Sequence, residues 1–195
     1  MIKKVCIFAS SSDYLDKIYY EEAAKLGELM AENNFEMVYG GSRLGLMWAC
    51  AGALKQNGGV LHGVMPEKLN DCGVSAKICD TFYLTEGMRE RKAKMDEISD
   101  AVIALPGGFG TLEEVAEIIV QKQLCYNHKA IVFLNTNGFY DNLLVFMDEI
   151  ISKKFANKTA RDLYFVAQAP TEAVEYLKNY TCEERVFDKS LIYKR

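Results

Sequence analysis

The residues best placed to do chemistry follow one short apolar run. Ala101-Val102-Ile103-Ala104-Leu105 leads into Pro106-Gly107-Gly108-Phe109-Gly110-Thr111-Leu112-Glu113-Glu114. A continuous apolar run between Asp100 and Pro106 predicts a strand covered on both faces. Apolar residues at Leu112, Val115, Ala116 and Ile119 predict a helix from Thr111 to about Leu124. Glycines at 107, 108 and 110 let a ligand approach the main chain, and the start of a helix offers unpaired N–H groups and the positive end of its dipole to an anion. A plain tight turn would account for one or two glycines. Three of them with Pro106 and Thr111 weigh toward an anion site. The spacing is neither that of a P-loop nor that of the dinucleotide fingerprint, which argues against ATPase and dehydrogenase chemistry.

A second oddity lies upstream, in Met88-Arg89-Glu90-Arg91-Lys92. On a helical wheel Met88, Met95 and Ile98 share one arc, and Arg91 falls within it. A guanidinium on a core-facing stripe is uncommon. It could snorkel or form a structural ion pair, but its planar fork also suits phosphate, ribose or a purine edge. Arg89, Glu90 and Asp96 read as a solvated face. Gly40-Gly41-Ser42-Arg43-Leu44-Gly45 repeats the strand, glycine, helix logic after Tyr39. Ser10-Ser11-Ser12-Asp13 follows the first strand, where its hydroxyls either meet a sugar or phosphate or cap the next helix. Thr111 and Glu114 also fit a capping box, with Thr111 as N-cap.

The elements that must hold these groups are legible as alternating patterns. Strands are predicted at 5–9, 36–39, 60–65, 81–84, 101–105, 130–134 and 164–167. Helices are predicted at about 14–33, 45–57, 86–99, 111–124, 140–153 and 171–180. Such alternation implies an α/β, Rossmann-like, doubly wound parallel sheet flanked by helices on both faces, with ligands at the carboxyl ends of the strands. With 195 residues, half of them hydrophobic, the chain suits a single domain over 1–180, leaving 181–195 as a C-terminal tail that could be an extra strand, a docking arm or a frayed end. A net charge of -4 without blocks of like charge gives no footprint for nucleic acid or an anionic membrane. The six cysteines form no C-x-x-C, and several sit in apolar patterns, which suits a reducing cytoplasm. His62 and His128 lack the spacing of metal ligands, and no run reaches membrane-spanning length.

The pairing of Met88-Arg89-Glu90-Arg91-Lys92 with Pro106-Gly107-Gly108-Phe109-Gly110-Thr111-Leu112-Glu113-Glu114 strongly resembles the LONELY GUY (LOG) family of cytokinin riboside 5'-monophosphate phosphoribohydrolases, many once labelled lysine decarboxylases. Val38-Tyr39-Gly40-Gly41, Gly45-Leu46-Met47, Gln123-Leu124 and Gly138-Phe139-Tyr140 extend the likeness over nearly the whole chain. The resemblance implies hydrolysis of the N-glycosidic bond of a purine nucleoside 5'-monophosphate without metal or organic cofactor. It implies Arg91 and Glu114 as the catalytic pair. Lys92, Gly107, Gly108, Phe109, Gly110, Thr111, Leu112 and Glu113 are expected at the nucleotide, with Gly40, Gly41 and Ser11 beside it. A homodimer or larger assembly with the site near the subunit interface is implied as well. Nothing marks a lysine as a pyridoxal-phosphate Schiff base. The chain departs from the family pattern at Ser42, Trp48 and Gln121, around the expected nucleoside pocket, so plain AMP and an N6-prenylated nucleotide both remain candidate substrates. The competing expectation is a carrier that binds a nucleotide or phosphorylated cofactor without cleaving it.

Overall fold

Val5 and Ile7 join one buried apolar cluster while Cys6 and Phe8 join another. That alternation, required by strand geometry, explains why the strand sequences read as unbroken apolar runs: each is covered on both sides. The computed structural model describes residues 2–181. Seven strands, β1 (Lys4–Phe8), β2 (Glu36–Tyr39), β3 (Leu61–Pro66), β4 (Thr81–Thr85), β5 (Ala101–Ala104), β6 (Ala130–Leu134) and β7 (Phe165–Ala167), form one sheet in the order β4-β3-β2-β1-β5-β6-β7. Every neighbouring pair is parallel. The helices are α1 (Lys17–Glu32), α2 (Gly45–Gln56), α3 (Glu67–Asp71), α4 (Met88–Glu97), α5 (Phe109–Gln123), α6 (Asp141–Ser152) and α7 (Pro170–Asn179). Helices α1, α2 and α7 cover the Val5 face, and α4, α5 and α6 cover the Cys6 face. The chain steps outward from β1 to β4 and then returns to β5 beside β1. The strand order therefore reverses between β1 and β5, where such sheets bind ligands.

The predicted fold class holds, and several local expectations are corrected. Helix α1 starts at Lys17 rather than near residue 14, and Tyr14 is fully exposed. Helix α5 starts at Phe109, not Thr111. Its buried stripe is Thr111, Val115, Ile118 and Lys122, and Ala116, expected inside, is exposed because at roughly 100° per residue it stands about 100° or more from every residue of that stripe. On α4, Arg91 and Met95 are buried as the arc requires, but Met88 is 51% exposed. Met88 opens the helix directly after the Gly87 cap, and the burial of the first turn falls to Arg91, whose Nε reaches the Val64 carbonyl of β3. Asp96, assigned to a solvated face, is half-buried and takes the Lys129 ammonium through both its carboxylate and its carbonyl. The short α3 and the 3-10 segments Thr136–Gly138 and Lys158–Leu163 carry too few residues to show a period. Residues 182–195 of the predicted tail, Cys182 among them, lie outside the described residues. Among the described residues no helix is long and apolar enough to cross a membrane.

Candidate active site

Three loops at the carboxyl ends of β1, β2 and β5 are bonded into one platform. The Ser10 N–H donates to the Pro106 carbonyl at 3.1 Å, the Leu46 N–H donates to the Ser10 carbonyl at 2.9 Å, and the Gly45 N–H donates to Asp13 Oδ1 at 2.8 Å. Gly45 has a φ of +61°, and a Cβ there would lie 2.3 Å from the Ser10 carbonyl oxygen. No other residue fits this seam between the β1 and β2 loops. Beneath the β5 loop, the buried Tyr140 hydroxyl donates to the Leu105 carbonyl at 2.6 Å. Ser11 is exposed on the platform. The capping role for the serine loop is not what forms: Asp16 precedes α1 without a side-chain cap, and the Ser10 and Ser12 hydroxyls accept instead from the Ser12 and Tyr14 N–H groups.

Helix α5 leaves this platform with Gly108 at its N-cap and no side-chain cap. The capping box is thereby corrected: Thr111 sits in the first turn, buried under Gly107, whose added Cβ would lie 2.1 Å from Thr111 Oγ1. The Leu112 N–H is satisfied by the Gly108 carbonyl at 3.1 Å. The N–H groups of Phe109, Gly110 and Thr111 precede it and have no acceptor within the helix. Gly108 and Gly110 have nothing within 4 Å of where a Cβ would be, so the space above these donors is open. Phe109 projects into solvent, 92% exposed.

Glu114, about one turn down α5 from Gly110, turns inward to Arg91. The Arg91 Nη1 donates to Glu114 Oε1 at 2.7 Å, and the Nε donates to the Val64 carbonyl at 3.3 Å. Arg91 is only 7% exposed, which makes this a desolvated ion pair. Gly40 is what admits it: a Cβ at Gly40 would stand 2.4 Å from Arg91 Nη2. Gly41 lies against Phe82, a step back from the pair. Burial pushes the Glu114 carboxyl above its usual range, while the Arg91 charge and hydrogen bond oppose that rise. Lys92, half-buried, bridges α4 to α5 by ion pairs with Glu113 and Glu117. The expected pair and its neighbours are thus assembled from strands and helices far apart in sequence.

A cavity of about 230 Å³ opens beside Glu114 between α4 and α5, with Phe8, Ala93, Ile118 and Gln121 among its walls. A second, of about 250 Å³, lies across the glycine loop, lined by Ser10, Leu15, Tyr19, Gly107, Gly108 and Phe139. Phe8, Ala93, Tyr19 and Phe139 escaped sequence reasoning because their patterns signal only core or surface. Among the described residues no group of three His, Cys, Asp or Glu side chains could hold a metal ion.

A doubly wound sheet with glycine loops at its switch point, an uncapped helix start and a buried carboxylate one turn below defines an α/β protein with its candidate site at the carboxyl ends of the strands. The chain belongs to the LOG family. A family model described as "possible lysine decarboxylase" matches residues 47–177. A probable cytokinin riboside 5'-monophosphate phosphoribohydrolase of Oryza sativa subsp. japonica is 37% identical over 96% of this chain and 77% of its own. A cytokinin riboside 5'-monophosphate phosphoribohydrolase of Arabidopsis thaliana is 36% identical over 96% of this chain and 87% of its own. Among solved structures, the molybdenum cofactor binding protein of Rippkaea orientalis superposes with a TM-score of 0.71 at 21% identity, covering 91% of this chain and 96% of that one. The Moco carrier protein of Chlamydomonas reinhardtii gives 0.70 at 21% identity, with the same coverage. At that identity the likeness is one of fold.

Proposed function

We propose that this protein hydrolyses the N-glycosidic bond of purine nucleoside 5'-monophosphates, releasing the free base and ribose 5-phosphate. The observation that carries the proposal is the buried Arg91–Glu114 pair, held at 2.7 Å one turn below the free N–H groups of α5 in a chain of the LOG family. Those N–H groups, with Ser11 from the β1 loop, take the 5'-phosphate. Glu114 lies about one helical turn, roughly 5.4 Å, below those N–H groups, which supports a pose with the anomeric carbon beside its carboxylate.

Cleavage of this bond passes through a transition state with oxocarbenium character at the anomeric carbon. The Glu114 carboxylate stabilises that charge and accepts the proton of an attacking water. The water oxygen bonds to the anomeric carbon as the carbon–nitrogen bond breaks, the electron pair of that bond leaves with the base, and the proton taken up by Glu114 is passed on to the base. Arg91 keeps Glu114 ionised and oriented despite its burial. Gly40 seats Arg91, and Gly41 backs that turn. Lys92 with Glu113 forms the rim, and Gly107 to Leu112 form the phosphate cradle. Incubation with AMP and with isopentenyl-AMP, followed by chromatography for free base and ribose 5-phosphate, tests the proposal. Binding without cleavage of either would give the carrier reading instead.

A further inference from the structure

We infer that the purine base lies in the groove between α4 and α5, and that Gln121 determines base recognition by donating a hydrogen bond to it; this rests on the proposed reaction. Glu114, Ile118 and Gln121 all line the cavity, and their i, i+4, i+7 spacing puts them on one face of α5, descending from the helix start. With the phosphate at the first turn and the anomeric carbon at Glu114, the next groups along the same line are Ile118 and Gln121. The groove has apolar walls in Phe8 and Ile118 for a flat ring. Its lower end carries Asp96 and Glu97, paired with Lys129 and Lys94, and the open N–H groups at the start of α5 set the nucleotide's direction.

The orientation of Gln121 follows from a chain of bonds that begins at a group able only to donate. The Lys129 N–H donates to Asn127 Oδ1 at 3.2 Å, so the Asn127 amide nitrogen must point the other way. That nitrogen donates to Gln121 Oε1 at 3.2 Å and to the Ile118 carbonyl at 3.5 Å. The Gln121 oxygen is therefore taken, and its NH2 is left to the cavity, with no acceptor among the described residues. A side-chain amide donor of this kind pairs with a ring nitrogen or carbonyl on a purine edge. Asn127 acts as the positioning residue, holding Gln121 as a donor.

The test uses the full chain with Gln121→Glu, which retains an acceptor for Asn127 and replaces the donor by a charged carboxylate oxygen, with Gln121→Leu, which removes the polarity without adding charge, and with Ala93→Phe, which fills the groove. All three should raise the KM and the Kd for AMP about tenfold or more, while inhibition by ribose 5-phosphate stays within about twofold of wild type. Unchanged AMP constants in the three variants, or an equal loss of ribose 5-phosphate binding, would overturn the assignment. If the wild-type protein cleaves no purine nucleotide, the proposed reaction fails. The Kd values for AMP and ribose 5-phosphate, measured by calorimetry, then decide the groove assignment on their own by the same comparison.

Discussion

At the scale of single residues, the buried Arg91–Glu114 pair separates chemistry from architecture. Glu114→Gln keeps an acceptor for the Arg91 Nη1 but removes the charge, so kcat should fall by about 10²-fold or more while AMP still binds; near-normal turnover would remove Glu114 from the mechanism. Its pH signature is also set. Glu114 must be ionised to act, and burial moves its carboxyl above the usual value of 4.5. Activity should therefore rise with pH through a midpoint above that value, an acid limb that Glu114→Gln should flatten. The stability term has the opposite sense: a carboxyl raised on folding favours the folded state below its unfolded pKa, and that contribution is lost as pH rises through the folded one. Arg91→Ala strands a buried carboxylate and should cost about 3–5 kcal/mol of stability as well as activity, read by thermal denaturation and assay. Arg91→Lys keeps the charge but not the fork that spans Glu114 and the Val64 carbonyl, and should lose turnover with a smaller loss of stability.

Among the elements, the start of α5 is the part on which binding turns. A Cβ added at Gly108 meets no protein atom within 4 Å, so Gly108→Val should leave the melting temperature close to wild type. It should nonetheless weaken AMP binding measured by calorimetry, because the branched side chain occupies the anion's approach. An unchanged Kd would place the phosphate elsewhere. The end of the same helix supplies a contrasting test. Cys125, just after α5, holds a left-handed φ of +61° that costs a non-glycine residue about 1 kcal/mol or more. Cys125→Gly should raise the unfolding midpoint in urea without altering turnover.

At the scale of the whole molecule, α6 is a long apolar helix without a buried residue. Leu143, Leu144, Val145, Phe146, Met147, Ile150 and Ile151 fall on this helix, yet none of its residues is buried, and Val145, Phe146 and Phe155 are exposed. Apolar exposure of that extent suits a subunit contact. Sedimentation is expected to show a homodimer or larger assembly that Phe146→Asp shifts toward monomer. A wild-type monomer at all concentrations would contradict it. The proposed phosphate anchoring also belongs to this scale, because under that proposal binding energy at the α5 start assists bond cleavage at Glu114. Adenosine should be a poor substrate beside AMP, and comparable kcat/KM for the two would refute the anchoring.

Local pattern was enough to place all seven strands and the six longer helices, because apolar runs and the 3.6-residue period are properties of neighbouring residues. Arg91 stood out as a guanidinium on an apolar arc, while Glu114 was paired with it only through the resemblance to the LOG family; the fold brings the two into a 2.7 Å contact. Where α5 begins was not visible. Thr111 and Glu114 satisfy a capping box on paper, but the Gly107 backbone packs on Thr111 and Arg91, from another helix, claims the Glu114 carboxylate. Gly40 read as a ligand-facing glycine, and the fold shows it making room for Arg91. Gln121 read only as a departure from a family pattern, until the bond from Asn127 and the groove beside Glu114 set which end of its amide is free. In each case the deciding partner comes from a different element, and local sequence carries no information about which distant backbone or side chain will arrive there.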